Sequence, residues 1–200
     1  IECLYELRGI APVIVAAPTL LQIEGMPYDM NVPCMFEDTP NMVQCAKNTV
    51  KFYDEDQKGR YGNEIQIAVY DMTAIDKIAE ASKDIFALLD KYDPEADMIQ
   101  CYMKASPLLS YDMENYMEYL TGLEHKDLME KWMEAWTDFV MYGYATRTAI
   151  GRLVLYRYCG LGCMVVNKES LIDWRGYNEL AWWKDVVSTA PVYQSATEEK

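Results

Sequence analysis

Five consecutive apolar residues, Val13-Ile14-Val15-Ala16-Ala17, stand between Pro12 and Pro18. A strand with one solvated face would alternate, so a run without alternation reads as a strand buried on both faces, as in the middle of a parallel sheet. Pro18 closes it, because proline cannot donate to a sheet ladder. The segment that follows lies beyond the carboxyl end of the strand, where open α/β sheets place ligands. A doubly buried strand needs a neighbour on each edge. The first half of the chain offers one other convincing strand, Glu64 to Tyr70, with Ile65, Ile67 and Val69 alternating onto one face. Most of the sheet is therefore expected to come from outside this sequence.

The remaining pattern is mainly helical. Residues 2 to 8 read as the end of an amphipathic helix with Cys3, Leu4 and Leu7 on one side, uncapped, so the chain reads as starting mid-helix. Thr39-Pro40 offers a cap and a first-turn proline before Val43, Ala46, Val50 and Tyr53 at helical spacing. Asp54 to Gly62 is a charged loop, and its acidic cluster lacks the spacing of a calcium-binding EF-hand. Thr73-Ala74-Ile75-Asp76 approximates a capping box for a stripe running from Ile75 to Leu89.

From Asp93-Pro94 to about residue 145 the pattern predicts a helical bundle, in pieces around Met98–Tyr102, Met113–Leu120 and Leu128–Val140. Leu153–Tyr158 and Cys163–Val166 read as a bent strand or hairpin about Gly160-Leu161-Gly162. Tyr177 to Val187 reads as a last helix, and residues 188–200 show no periodicity.

Composition narrows the function classes. Thirty-two acidic against 18 basic residues give a net charge of −14, which argues against nucleic acid and anionic membranes and permits a basic substrate. No apolar run approaches the roughly 20 residues of a membrane span. The six cysteines, Cys3, Cys34, Cys45, Cys101, Cys159 and Cys163, include no Cys-x-x-Cys pair, and there is no histidine cluster to complete a zinc site. Buried free thiols are the default for them. The only histidine, His125, lies among Glu124, Lys126 and Asp127 and reads as a solvated loop residue rather than a general base. With no Gly-x-Ser-x-Gly and no phosphate-binding glycine loop, this sequence carries no catalytic residue of its own.

Two motifs carry a resemblance. Ala17-Pro18-Thr19 followed by Gly25-Met26-Pro27-Tyr28-Asp29 is similar to the segment just downstream of the catalytic cysteine in clostripain-like cysteine peptidases, which are caspase-fold enzymes. Far downstream, Gly151-Arg152, Tyr158-Cys159-Gly160-Leu161-Gly162, Tyr177-Asn178 and Trp182-Trp183 resemble that family's Cys-Gly-Leu-Ser strand and aromatic C-terminal helix. The resemblance is collinear across nearly all of the chain.

That resemblance implies an α/β fold: a caspase-like sheet half, incomplete in this chain, with a mostly α-helical C-terminal subdomain. Residues 1–92 would hold the C-terminal part of the peptidase domain with a specificity loop at 18–29. Residues 93–200 would form the helical subdomain, with a short strand pair near 152–166. In the family the loop supplies a small or polar residue and then an acidic residue that meets a basic P1 side chain. Thr19, Leu21, Gln22 and Glu24 fall in those places, with Glu24 as the carboxylate, while Leu21 departs from the polar residue expected. A carboxylate in a partly desolvated pocket favours Arg through a bidentate pair and Lys more weakly. Asp29 is expected to brace the loop through backbone amides.

The family's nucleophile and base lie upstream, so the implied partner is an N-terminal peptidase fragment carrying His and Cys, and the implied substrates are peptides and proteins with a basic P1 residue. The resemblance implies a secreted or cell-envelope protein matured by self-cleavage. It implies no cofactor, with calcium as the one ion it leaves room for. The alternative is a catalytically inactive caspase-fold relative acting as an acidic binding or scaffold protein. A stand-alone helical module would instead be a stable 23.1 kDa monomer.

Overall fold

The computed structural model describes residues 1–19, 25–56, 64–89, 96–105, 108–149, 153–165 and 174–195. The central sheet has three strands in the order β1 (Val13–Ala16), β2 (Gln66–Asp71), β5 (Val140–Ala145). Both pairings are antiparallel, with Val15 opposite Val69 and Ala68 opposite Gly143.

This arrangement corrects the parallel setting expected for β1. The apolar run does have helices on both of its faces. Val13 and Val15 pack with Ala46, Val50 and Tyr53 on the side of α3 (Met42–Lys51). Ile14 and Ala16 pack toward α4 (Ile75–Phe86) and α6 (Lys126–Phe139), where Ile78, Trp132 and Phe139 are fully buried. All four β1 residues nevertheless stay half-buried, because β1 is an edge strand among the described residues. The doubly buried strand is β2, whose first five residues are all buried, although its alternation predicts one solvated face. β2 is central, so its second face (Gln66, Ala68, Tyr70) is covered as well.

The helical reading of 93–145 also needs correction. β3 (Cys101–Ala105) and β4 (Leu108–Asp112) form a hairpin where a helix was expected, after a single 3-10 turn at Ala96–Met98. The helix ending at Phe139 passes directly into β5, so Val140 belongs to the sheet. Pairing of β5 with β2 crosses the expected division between residues 1–92 and 93–200. α5 (Met113–Thr121) and α6 match the expected helices, and α5 is capped by Asp112, whose side chain accepts from Asn115 N.

Among the described residues, the strands near 152–166 do not pair with each other. β7 (Leu153–Val154) pairs with β6 (Thr148–Ala149), and β8 (Gly162–Cys163) pairs with β4. The aromatic segment is a 3-10 stretch, Trp174–Glu179, followed by the short helix α7 (Ala181–Asp185), and Pro191–Ser195 forms a further helical turn, α8.

Three other local readings change. α1 (Glu2–Glu6) is present, but α2 (Tyr28–Met35), which contains Pro33, has no counterpart in the sequence pattern. α3 starts at Met42, and Asn41 rather than Thr39 supplies its cap. Ahead of α4, Asp71 takes the capping role by accepting from both Thr73 N and Thr73 Oγ1, at 2.9 and 2.6 Å.

Candidate functional site

The expected specificity loop leaves the sheet at the end of β1. Leu21, Gln22 and Glu24 lie outside the described residues, while Thr19 and the loop's exit from Gly25 onward are within them. Antiparallel pairing puts the end of β1 beside the start of β2, because Ala16 faces Ala68. Thr19 Oγ1 therefore reaches Gln66 and donates to its Oε1 at 2.6 Å. Gln66 in turn donates through Nε2 to the carbonyl of Thr148, at 3.4 Å. Gln66 is 1% exposed, and a buried amide must find partners for both its donor and acceptor atoms.

The second hold on the loop entry comes from the hairpin. Ser110 Oγ, on β4, donates to the carbonyl of Pro18 at 2.9 Å. This approach requires glycine next door. A Cβ on Gly162 would run into Ser110 Oγ and stand 3.2 Å from Pro18 Cβ. At the loop's exit, Tyr53 OH donates to the carbonyl of Gly25 at 2.8 Å. Gly25 has φ +66°, a conformation that suits glycine. Asp29 sits exposed in the first turn of α2, where a carboxylate favours the helix N-terminus. Among the described residues the loop's ends are held by Tyr53, Ser110 and Gln66, while the loop amides that Asp29 is expected to brace lie at 20–24, outside them.

Beside the loop entry lies a cavity of about 390 Å³, lined by Ile14, Ala16, Pro18, Tyr70, Ser110 and Cys163 among others. It joins the half-buried face of β1 to the second sheet. The groups in and near it are set for packing, not for nucleophilic attack. Burial pushes the Cys163 thiol well up. The Cys159 thiol is pushed up to about 12, first by burial and then by the Asp112 carboxylate. A thiol held that high is on the order of one part in 10⁵ ionised at neutral pH, and the thiolate is the nucleophilic form. His125 is half-buried at the start of α6 rather than a solvated loop residue, and its Nε2 is buried without a hydrogen-bond partner among the described residues. No hydrogen bond joins it to a cysteine among the described residues. No catalytic Cys–His pair is present among them.

Asp112, Glu114 and Cys159 bring three potential ligand atoms together. They do not fit calcium. Asp112 Oδ1 accepts from Asn115 N at 2.8 Å, and its Oδ2 accepts from Cys159 N at 2.9 Å and from Tyr102 OH. Its carboxylate oxygens are thus already engaged, and a protonated thiol is no ligand for a hard cation. The group is a buried polar node that ties α5, β3 and the Cys159–Leu161 turn together.

A sheet with helices packed on both faces is an architecture that this chain shares with solved cysteine proteases. A cysteine protease from B. fragilis is similar at 17% identity, with a TM-score of 0.80 over 96% of this chain and 84% of that one. The inactive zymogen of a C11 protease from Parabacteroides distasonis is similar at 23% identity, with a TM-score of 0.78 over 92% of this chain and 54% of that one. A clostripain from Bacteroides thetaiotaomicron ATCC 29148, in complex with the peptide inhibitor BTN-VLTK-AOMK, gives 18% identity and a TM-score of 0.74 over 92% and 80%. The fold is thus that of the caspase-like cysteine proteases. The model of the clostripain family, Peptidase C11, matches residues 1–187, and the chain belongs to that family. No curated protein matches it. No helix among the described residues is long and apolar enough to cross a membrane.

Proposed function

We propose that this chain is the C-terminal part of a cysteine endopeptidase that cleaves after basic residues, Arg and more weakly Lys. The observation that carries this reading is the loop after β1. It is held at its entry by Ser110 and Gln66 and at its exit by Tyr53, and it carries a single carboxylate, Glu24, between Ala17 and Tyr28. Glu24 meets the P1 guanidinium or ammonium, with Thr19, Leu21 and Gln22 on the same wall. A desolvated carboxylate binds guanidinium in a bidentate pair that ammonium cannot match. The inhibitor on the B. thetaiotaomicron relative, BTN-VLTK-AOMK, carries a K at the end of its peptide, in line with a basic P1.

The nucleophilic cysteine and the histidine belong to an upstream segment that adds to the open edge of β1. The thiolate attacks the peptide carbonyl to form an acyl-enzyme, the histidine gives its proton to the departing amine, and water hydrolyses the thioester. The reaction needs no cofactor. A secreted C11 protease of B. thetaiotaomicron shares the fold with this chain at 20% identity, and the zymogen relative is in keeping with maturation by cleavage, so a secreted or envelope location is part of the proposal.

The test is cleavage of fluorogenic peptides ending in Arg, Lys or Ala by the full-length protein, with and without a thiol alkylator. Cleavage after Arg that the alkylator abolishes and that Glu24→Ala weakens supports the reading. A folded protein that cleaves none of them contradicts it and leaves an inactive binding or scaffold relative.

A further inference from the structure

Two of the six cysteines meet where α2 packs on α3. Cys34 lies in the last turn of α2 and Cys45 in the first half of α3, and both are buried, at 8% and 0% exposure. Each sulfur has a partner on the other helix, while Cys34 Sγ also donates to the Met30 carbonyl of its own helix, at 3.9 Å. Cys45 Sγ donates to the carbonyl of Asn31 on α2, at 3.6 Å, and Cys34 Sγ accepts from Asn48 Nδ2 on α3, at 3.5 Å. Asn31 precedes Cys34 by three residues and Asn48 follows Cys45 by three, so each contact falls on the helix face that carries the opposite cysteine. The connection is tight as well, because Asn41 N donates to the Cys34 carbonyl at 3.0 Å. After burial, the neighbouring Cys34 is the main influence pushing the Cys45 thiol up. The other buried thiols are engaged elsewhere. Cys159 Sγ donates to the Leu161 carbonyl at 3.3 Å, and Cys163 lines the cavity beside β1.

We propose that Cys34 and Cys45 are a disulfide-forming pair, an internal staple between α2 and α3 that closes on exchange with a small-molecule disulfide such as oxidised glutathione. Cys34, the less buried of the two, reacts first. Its thiolate attacks one sulfur of the oxidant and expels the other half as a thiol, leaving a mixed disulfide on Cys34. Cys45 loses its proton to solvent, attacks the Cys34 sulfur and expels the second thiol. Two protein thiols are oxidised and one oxidant disulfide is reduced. The staple fixes the helix that begins at Tyr28, directly behind the loop exit at Gly25. It does not depend on the peptidase reading.

Trypsin makes the test direct, because no Lys or Arg lies between Arg8 and Lys47, so one peptide, 9–47, carries Cys34 and Cys45 and no other cysteine. The native protein is equilibrated with oxidised glutathione at mildly alkaline pH, alkylated, digested and weighed. The expected peptide is lighter by two hydrogens, takes no alkyl group, and stays joined when cut between the cysteines at Glu37. The thermal midpoint of the oxidised protein should rise by about 5–10 °C, as closing a short loop predicts. Cys34→Ser and Cys45→Ala should lose that shift, and if either fails to fold, the wild-type peptide map decides alone. A peptide that takes two alkyl groups, a link to another cysteine, or a link that forms only in denaturant would each overturn the proposal.

Discussion

Ser110 Oγ and the carbonyl of Pro18 meet at 2.9 Å across 92 residues of sequence, tying the β3–β4 hairpin to the end of β1. The contact sets the angle at which the chain leaves the sheet for the loop. Ser110→Ala should remove it with little effect on folding. Losing one hydrogen bond of about 1 kcal/mol should lower kcat/KM for Arg substrates about fivefold, mainly through KM. Steady-state kinetics on the full-length protein check this. An equal fall in kcat at unchanged KM would argue for a role beyond positioning.

Gly162 sits within reach of both partners in that contact. Gly162→Ala places a methyl group against Ser110 Oγ and Pro18, and overpacking of this kind costs about 1–3 kcal/mol. Differential scanning calorimetry should show Tm lowered by about 3–10 °C. The combination with Ser110→Ala should recover part of the loss, because the nearest obstructing atom is then gone.

Asp112 is fully buried and serves three donors, Asn115 N, Cys159 N and Tyr102 OH. Asp112→Ala takes this acceptor from all three donors, of which Cys159 N keeps another, Tyr102 OH at 3.0 Å, and removes the cap of α5, a loss of about 2–4 kcal/mol. Tyr102→Phe should cost only about 1 kcal/mol, since the carboxylate keeps its two backbone donors. Urea titrations of the two variants should give that order, and a reversed order would contradict the node as described.

The buried thiol of Cys159 makes stability depend on alkaline pH. Its pKa is raised from an ordinary 9.0 to about 12 by burial first and the Asp112 carboxylate second. The unfolded chain therefore releases this proton earlier than the folded one. The stabilisation is complete below pH 9 and is lost as pH rises toward 12. Unfolding free energy should fall across that window, and Cys159→Ala should flatten part of the slope. Stability that rises across the window would contradict the assignment.

The legible parts of the fold were those set by local pattern. The apolar run at 13–17, the alternation at 64–70 and the stripe from Ile75 each marked an element correctly. Which strand is central was not legible, because edge or centre is decided by partners that a local window does not contain. β5 was hidden because its apolar residues continue the stripe of α6 without a break at Phe139-Val140. α2 carries a proline and no regular stripe, so packing on α3 holds it rather than periodicity. In the site, Thr19 and Gly25 stood out through their motif. Ser110, Gln66 and Tyr53 did not, because their roles arise from contacts 92, 47 and 28 residues away. Gln66 gave one weak signal, an amide inside a strand of otherwise apolar and aromatic residues.

Peptidase activity with a basic P1 can be read by labelling the full-length protein with an irreversible, thiol-reactive peptide probe ending in Arg. One cysteine upstream of Ile1 should take the label, none of the six in this chain should, and labelling should weaken in Glu24→Ala. A folded protein that takes no label, or takes it on Cys3 or another cysteine of this chain, would contradict the reading.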